Sequence, residues 1–344
     1  MAGLQDDRLS VVPLEQIPAR ADALARSRAR VTRVDLLWSE AAATRPASPR
    51  DPADPAYDFT RWDRIAVALR ARGIRPIFAV YSSPAWAAGG REAPAGRQVN
   101  PSAPGPAAFA DFVQAVARRY SGRFRDPAGE LLPQVRHLEL WNEPNFRGFL
   151  QRGGKVAPVG TYVSMVRAAY PAAKRGNPRS VVVVGAGGPS SSTGPASIAA
   201  FAYEKALLRS GVKMDAFSQH VYPAAGPLQA TTAIPAWRTL PLMIDALRRV
   251  RPRTPFLVTE AGYTTADTPF RTVRVSPAAQ AAFLRQIFAL PVVRTRVALV
   301  VWYQLQDNPD WPGGLVFAGG REKPGWNAFR GIARRGGIPA VLRG

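Results

Sequence analysis

The feature that most restricts this chain is the recurrence of short apolar runs, each followed by an amphipathic helical stretch. Residues 1–9 read as a short strand ending in Asp6-Asp7, followed by a helix near 14–29. Val31–Leu37 is a second strand that places Arg33, Asp35 and Leu37 on one face and ends at Trp38-Ser39. A helix over 60–72 stops at Gly73. Strands follow at 74–80, 137–140, 181–186, 216–221, 256–260 and 297–303, separated by helices near 106–120, 159–175, 196–210, 239–250 and 276–290, with a last helix from about Pro324. From the fourth strand onward the strand centres recur roughly every 40 residues, long but acceptable for a βα unit. Eight such units predict an α/β chain folded as one (β/α)8 (TIM) barrel over residues 1–344, without a substantial accessory domain. The rival is a doubly wound open sheet. No glycine-rich phosphate fingerprint follows the first strand, and Gly185-Ala186-Gly187-Gly188 lacks the Lys-Ser/Thr of a P-loop.

The fourth strand, His137-Leu138-Glu139-Leu140, runs into Trp141-Asn142-Glu143-Pro144-Asn145. Pro144 has no backbone donor and restricts the residue before it, so the strand ends where Glu143 sits. An indole, an amide and a carboxyl group gathered at a strand end are suited to gripping and protonating a sugar, although a lone Glu after a strand is usually a solvated surface group. The run from 256 to 263, Phe-Leu-Val-Thr-Glu-Ala-Gly-Tyr, is an apolar strand that ends on Glu260, three strands and 117 residues later. In a barrel the strand ends converge on one face, so the two carboxylates can meet across its mouth.

Trp-Asn-Glu-Pro-Asn resembles the acid/base motif of the clan A glycoside hydrolases, with family 39 closest and the cellulase-like family 5 next. That resemblance spans residues 3–335, with its specific motifs at strands four and seven, and implies an acid/base after strand four and a nucleophile at the end of strand seven. Glu143 and Glu260 occupy those two places. It therefore implies a retaining glycoside hydrolase. Glu260 would attack the anomeric carbon, while Glu143 would protonate the leaving oxygen and later deprotonate water, the two carboxyls lying about 5–5.5 Å apart. It also implies that Asn142 holds the sugar 2-hydroxyl, although Asn142 could simply form a turn. Ser218-Gln219-His220-Val221-Tyr222-Pro223 resembles the family segment whose tyrosine donates to the nucleophile. Tyr222 would then aim Glu260, and His220 would either line the site or be a satisfied core residue. Trp302 matches the aromatic floor beneath the sugar, or packs in the core. Trp38, Tyr81, Trp86 and Trp311 are candidates for neighbouring subsites or loop anchors. Arg33 could approach Glu260, as a family 5 arginine does, or neutralise Glu139, which shares inward parity with Glu143. The β-sandwich carried by many family 39 members is not expected within these 344 residues.

Composition narrows the alternatives. There are no cysteines and only two histidines, His137 and His220, and no His/carboxylate spacing suggests a metal site, so neither a metal nor another cofactor is expected. The formal charge is +22, almost all of it arginine. Such a field attracts polyanions and favours an anionic glycan as substrate, or it reflects a compositional bias toward Ala, Arg, Pro and Gly with arginines scattered over helix surfaces. A charge-driven nucleic-acid binder is the competing class, without a recognisable binding motif. A transglycosylase on the same site and a carbohydrate-binding pseudoenzyme are the nearer alternatives, the latter disfavoured by retention of both carboxylates. No stretch is apolar enough to span a membrane and no signal peptide is evident. The expectation is an exported or cell-envelope protein whose export signal is absent from this chain, with a cytoplasmic location as the alternative. Nothing in the sequence fixes the oligomeric state.

Overall fold

The computed structural model describes residues 1–95, 98–269 and 273–342. Eight strands form one parallel sheet: β1 (Ala2–Leu4), β2 (Val31–Leu37), β3 (Arg75–Tyr81), β4 (His137–Leu140), β5 (Val181–Gly187), β6 (Ala216–Val221), β7 (Phe256–Ala261) and β8 (Val297–Trp302). In space the order is β1-β8-β7-β6-β5-β4-β3-β2. β1 also lies against β2, where a side chain at Gly3 would touch the Val31 carbonyl at 3.0 Å, so the sheet curls into a nearly closed barrel. The helices between strands are α1 (Ile17–Arg26), α2 (Thr60–Ala71), α3 (Pro106–Arg119), α4 (Val159–Gly176), α5 (Ala200–Arg209), α6 (Leu240–Val250), α7 (Pro277–Ala289) and α8 (Pro324–Arg335). Short helical turns at Trp38–Ala41 and Pro291–Arg296 and a two-stranded hairpin, Gln151–Arg152 with Lys155–Val156, decorate this frame.

Local chemistry places these elements. α1, α3, α6, α7 and α8 each carry a proline in the first turn, where its missing N–H costs nothing. α3 buries Phe109, Phe112, Val113 and Val116 at helical spacing against the sheet. Gly73 adopts φ +65°, the left-handed conformation that ends α2 as expected. The strands read as continuous apolar runs because both faces are covered, one by helices and one by the barrel interior.

Two boundaries depart from the sequence reading. The first strand is three residues, not nine. The Asp6 carboxylate is drawn sideways to Arg20, at 2.7 and 2.8 Å, and a 3-10 turn begins at Asp7. The stretch expected to open the fifth helix at 196 is loop up to Ala200, because Asn145 Nδ2 donates to the Ile198 carbonyl and Ser197 bonds Ser190.

The interior is stratified. At the strand starts Val31, Ile77, Val183, Ala216, Leu257, Leu299 and Val301 form an apolar plug closed from below by Leu342. One layer up the inward positions turn polar, with Arg33, Glu139 and His220 all buried. That change of chemistry along the barrel axis marks the end where the loops build a site.

Candidate active site

Strand alternation alone would point Leu257 and Thr259 inward and Glu260 outward. β7 carries one extra residue, however. Its ladder with β6 pairs Gln219 with Val258 and then His220 with Glu260, and its ladder with β8 pairs Val300 with Val258 and then Trp302 with Ala261. Both neighbours report the same bulge, and it rotates Glu260 into the barrel. β5 holds a second irregularity, between Val184 and Gly187, where Gly185 (φ +122°) and Ala186 (φ +41°) turn the chain. The Ala186 carbonyl accepts from the Glu143 N–H at 2.9 Å, and Glu143 itself sits at φ +38°. Trp141, at φ +74°, precedes it. Left-handed backbone at non-glycine residues is costly and clusters where a side chain must be held in a special direction.

The result is a compact constellation. One carboxylate oxygen from Glu143, one from Glu260 and a ring nitrogen of His220 all lie within 4.8 Å of one another. His220 Nδ1 is 2.9 Å from Glu143 Oε1 and 3.5 Å from Glu260 Oε2, so the imidazole lies in hydrogen-bond contact with the first carboxylate and beside the second. Arg33 donates from Nη1 to Glu260 Oε1 at 2.7 Å, and the Tyr222 hydroxyl donates to Oε2 at 2.7 Å. Arg33 also donates from Nε to Glu139 at 2.5 Å and from Nη1 to Asp35 at 3.1 Å. Both roles considered for Arg33 are therefore filled at once. Its Nη2 donates to Asn142 Oδ1 at 2.7 Å. A guanidinium has no acceptor, so the amide oxygen of Asn142 must face it, leaving the NH2 group to donate elsewhere.

Burial, followed by the neighbouring charge of Glu143, raises the Glu260 carboxyl above the ordinary range, against the pull of His220, Arg33 and Tyr222. Burial alone would depress His220, but the Glu260 charge and the bond to Glu143 leave its imidazole above its usual range. Burial acts most strongly on Glu139 and would raise it, yet the charges of Arg33 and His220, with hydrogen bonds from Arg33 and Ser218, together hold it below the ordinary range. Asp7 and Asp35 line the same mouth. Burial, with the Asp35 charge adding to it, pushes Asp7 up to about 8, and burial raises Asp35 as well. Among the described residues the Glu143, His220 and Glu260 trio is also the one group with enough convergent donors for a metal ion. Its atoms are already engaged with one another, with Tyr222 and with the Arg33 cation.

The aromatic expectations divide. Tyr222 stands beside Glu260, and Trp311 packs edge-on to Tyr222 with ring centres 4.9 Å apart, so both reach the mouth. Trp302 does not serve as an exposed floor in this structure. It is 1% exposed, and its indole N–H donates to the Gly313 carbonyl at 3.1 Å. The half-buried aromatic is its neighbour Tyr303, whose hydroxyl bonds Asp7 and whose ring lies 5.7 Å from Trp311 and 6.4 Å from Tyr222. Trp38 is fully buried and stacked on Phe112 at 5.2 Å, which makes it core and not a subsite. Trp86 anchors its loop by donating to the Ala42 carbonyl at 2.8 Å and meets Trp38 edge-on. Tyr81, the last residue of β3, is buried and its side chain hydrogen-bonds Asp35. Trp141, read as a sugar-gripping group, faces away and donates to the Phe149 carbonyl at 2.8 Å. Tyr303, Asp7 and Asp35 were not singled out as binding residues. Asp7 just past β1 and Asp35 on the same face of β2 as Arg33 were the available signals.

Loop packing fixes the acid. Asn145 donates to the Gly188 carbonyl at 3.0 Å and accepts from its N–H at 2.6 Å, tying the loop after β4 to the loop after β5. Gly188 leaves room for that approach, since a Cβ there would lie 2.8 Å from the Glu143 carboxyl carbon and 2.2 Å from Phe146.

A family model described as glycosyl hydrolases family 39 matches residues 31–309. No curated protein sequence matches the chain. Among solved structures, a family 39 glycoside hydrolase from Bacteroides cellulosilyticus WH2 is 20% identical with a TM-score of 0.69, the match covering 97% of this chain and 63% of that one. A monomeric beta-xylosidase from Caulobacter crescentus CB15 is 19% identical with a TM-score of 0.67, covering 96% of this chain and 66% of that one. GH5_18 from Streptomyces cattleya, in complex with GlcNAc, is 16% identical with a TM-score of 0.68 and coverages of 98% and 81%. The chain thus spans less than two thirds of the length of the first two. At these identities the likeness carries the barrel fold.

Proposed function

Because the chain belongs to glycosyl hydrolases family 39, we propose that it is a retaining glycosidase that cleaves O-glycosidic bonds of an oligo- or polysaccharide by double displacement. The observation that carries this reading is the approach of Glu143 and Glu260 to within 4.8 Å. Carboxyls this close belong to the retaining class, whereas inverting enzymes hold theirs about 6.5–9.5 Å apart to admit a water.

Glu260 is the nucleophile. Arg33 and Tyr222 each occupy one of its oxygens, favouring the carboxylate and fixing its aim at an anomeric carbon. Glu143 supplies the proton to the departing oxygen. Once the ester forms on Glu260 the same residue withdraws a proton from the incoming water, and breakdown of the ester returns the carboxylate. His220, hydrogen-bonded to Glu143 and beside Glu260, orients the first and senses the charge of the second. Asn142, with its oxygen turned to Arg33, presents its NH2 group to the sugar 2-hydroxyl. Tyr303 and Trp311 offer the aromatic surface that Trp302 does not.

The mouth also speaks to the substrate. Four carboxyl groups, Asp7, Asp35, Glu143 and Glu260, share this mouth with one arginine that already meets Glu139, Asp35 and Glu260. We propose that the sugar at the cleavage point is neutral, so the preference for an anionic glycan suggested by the net charge does not extend to that unit. An anionic sugar there would add a like charge to a low-dielectric site.

The test uses two variants on a panel of aryl glycosides. Glu260→Ala should lose turnover by roughly 10⁴-fold or more and regain part of it with azide as a glycosyl azide of inverted configuration. Glu143→Ala should lose far more on substrates with poor leaving groups than on activated ones. Near-normal turnover in the first variant, or equal losses across leaving groups in the second, would remove the respective assignment.

A further inference from the structure

The end of the barrel opposite the mouth is strongly and unevenly charged. All eight strands are parallel, so their starts and the helix C-termini share this end. The last turns of α1, α2, α3, α4, α5, α6 and α8 all carry arginine or lysine. Helix dipoles favour cations there, but by the same logic they favour acids at the other ends. Only α2, through Asp63, has an acidic residue in its first turn among the eight. Dipole compensation therefore explains part of the ring and not its one-sidedness. Further arginines sit where no helix ends. Arg75 begins β3, and Arg179 and Arg253 lie just ahead of β5 and β7.

Three clefts on this face are each framed by arginines. One holds Arg123 and Arg179, another Arg248, Arg253 and Arg294, and the third Arg70 and Arg75. Among the described residues none of these seven makes an ion pair. The opposing charges nearby are few. Asp22 is held by Arg72, Asp215 by Lys174 and Asp245 by Arg296, leaving Asp126 and Glu130 in the loop after α3.

A second observation indicates what the face meets. Val67, Leu131 and Val250 on this face are 51%, 53% and 57% exposed, while Val11, Leu228, Leu242 and Val273, the other exposed large apolar side chains described, are spread over the mouth-side loops and the start of α6. Val67 and Leu131 line the cleft that holds Arg70 and Arg75, and Val250 closes α6 next to Arg249 and Arg251. Apolar tips between unpaired guanidiniums match the boundary between lipid headgroups and acyl chains. A nucleic acid would leave those tips in water, and base stacking would call for exposed aromatic rings instead. No helix among the described residues is long and apolar enough to cross a membrane, so the contact would be peripheral.

We propose that the strand-start face of the barrel docks on an anionic phospholipid bilayer, with the mouth directed away from it. The experiment is cosedimentation with phosphatidylcholine vesicles, with and without about 30% phosphatidylglycerol, across a salt series. Binding should require the anionic lipid and weaken as salt rises. Arg70→Gln/Arg179→Gln/Arg248→Gln/Arg294→Gln should lose affinity roughly fivefold per arginine, several hundred-fold in all. Val67→Ser/Leu131→Ser/Val250→Ser should lose about tenfold with an unchanged salt slope. Both variants should keep the thermal midpoint and turnover of the parent chain, since they lie far from the mouth. Failure to bind the anionic vesicles, full binding by the arginine variant, parental binding by the serine variant, or tighter binding to duplex DNA than to the vesicles would each overturn the proposal.

Discussion

Arg33 is 1% exposed and touches Glu139, Asp35, Glu260 and Asn142 together. A buried cation serving two buried glutamates is expensive to remove, because it leaves uncompensated charge behind. Arg33→Met should therefore destabilise the fold by about 3–5 kcal/mol, read by denaturant unfolding. It should also lower turnover by releasing Glu260 and Asn142. Adding Glu139→Gln to that variant should restore much of the stability and little of the activity, which separates the two roles. At this scale much was legible. A glutamate that ends an apolar strand beside Asn and Pro, and a second one three strands later, identified the two carboxyls. The choice between Trp302 and Tyr303 was not legible, because adjacent residues at a strand end have opposite faces and a bulge on the neighbouring strand shifts the frame.

The element that delivers the nucleophile is β7 with its extra residue, and the element that steadies the acid is the β5 loop. Neither bulge has a sequence signature apart from Gly185 and Gly187, which the spacing alone reads as loop glycines. This explains why strand order and number were readable while inward orientation was not: periodicity counts residues, and a bulge breaks the count. Gly188→Ala tests the loop. Its new Cβ would meet the Glu143 carboxyl carbon and the Phe146 ring, so turnover should fall by roughly 10²-fold while circular dichroism stays unchanged. Gly194→Ala, on the same loop with nothing within 4 Å of the added carbon, should leave turnover intact.

Across the whole molecule the eightfold alternation of strand and helix was readable because each apolar run is bounded by proline, glycine or a charged helix end. The polarity of the charge was not, since the basic ring at the helix C-termini emerges only once the strands are known to be parallel. One buried group away from the mouth also contributes to how the molecule responds to pH. Glu204, in α5, is fully buried, and both of its carboxylate oxygens lack a partner among the described residues. Burial raises it from 4.5 to about 9. Between those values the folded chain keeps a proton that the unfolded chain releases, so this group makes stability fall as pH rises through that window. Glu204→Gln should remove this group's share of the slope and leave the share carried by Asp7. It should stabilise the protein by roughly 2–3 kcal/mol near neutral pH and hardly at all near pH 4, as thermal or urea unfolding at the two pH values would show.

The most direct test of the paired carboxyls is the configuration of the first sugar released from an aryl glycoside, followed by proton NMR before mutarotation sets in. Double displacement requires the new hemiacetal to keep the anomeric configuration of the substrate. An inverted first product would mean that a water, and not Glu260, makes the attack.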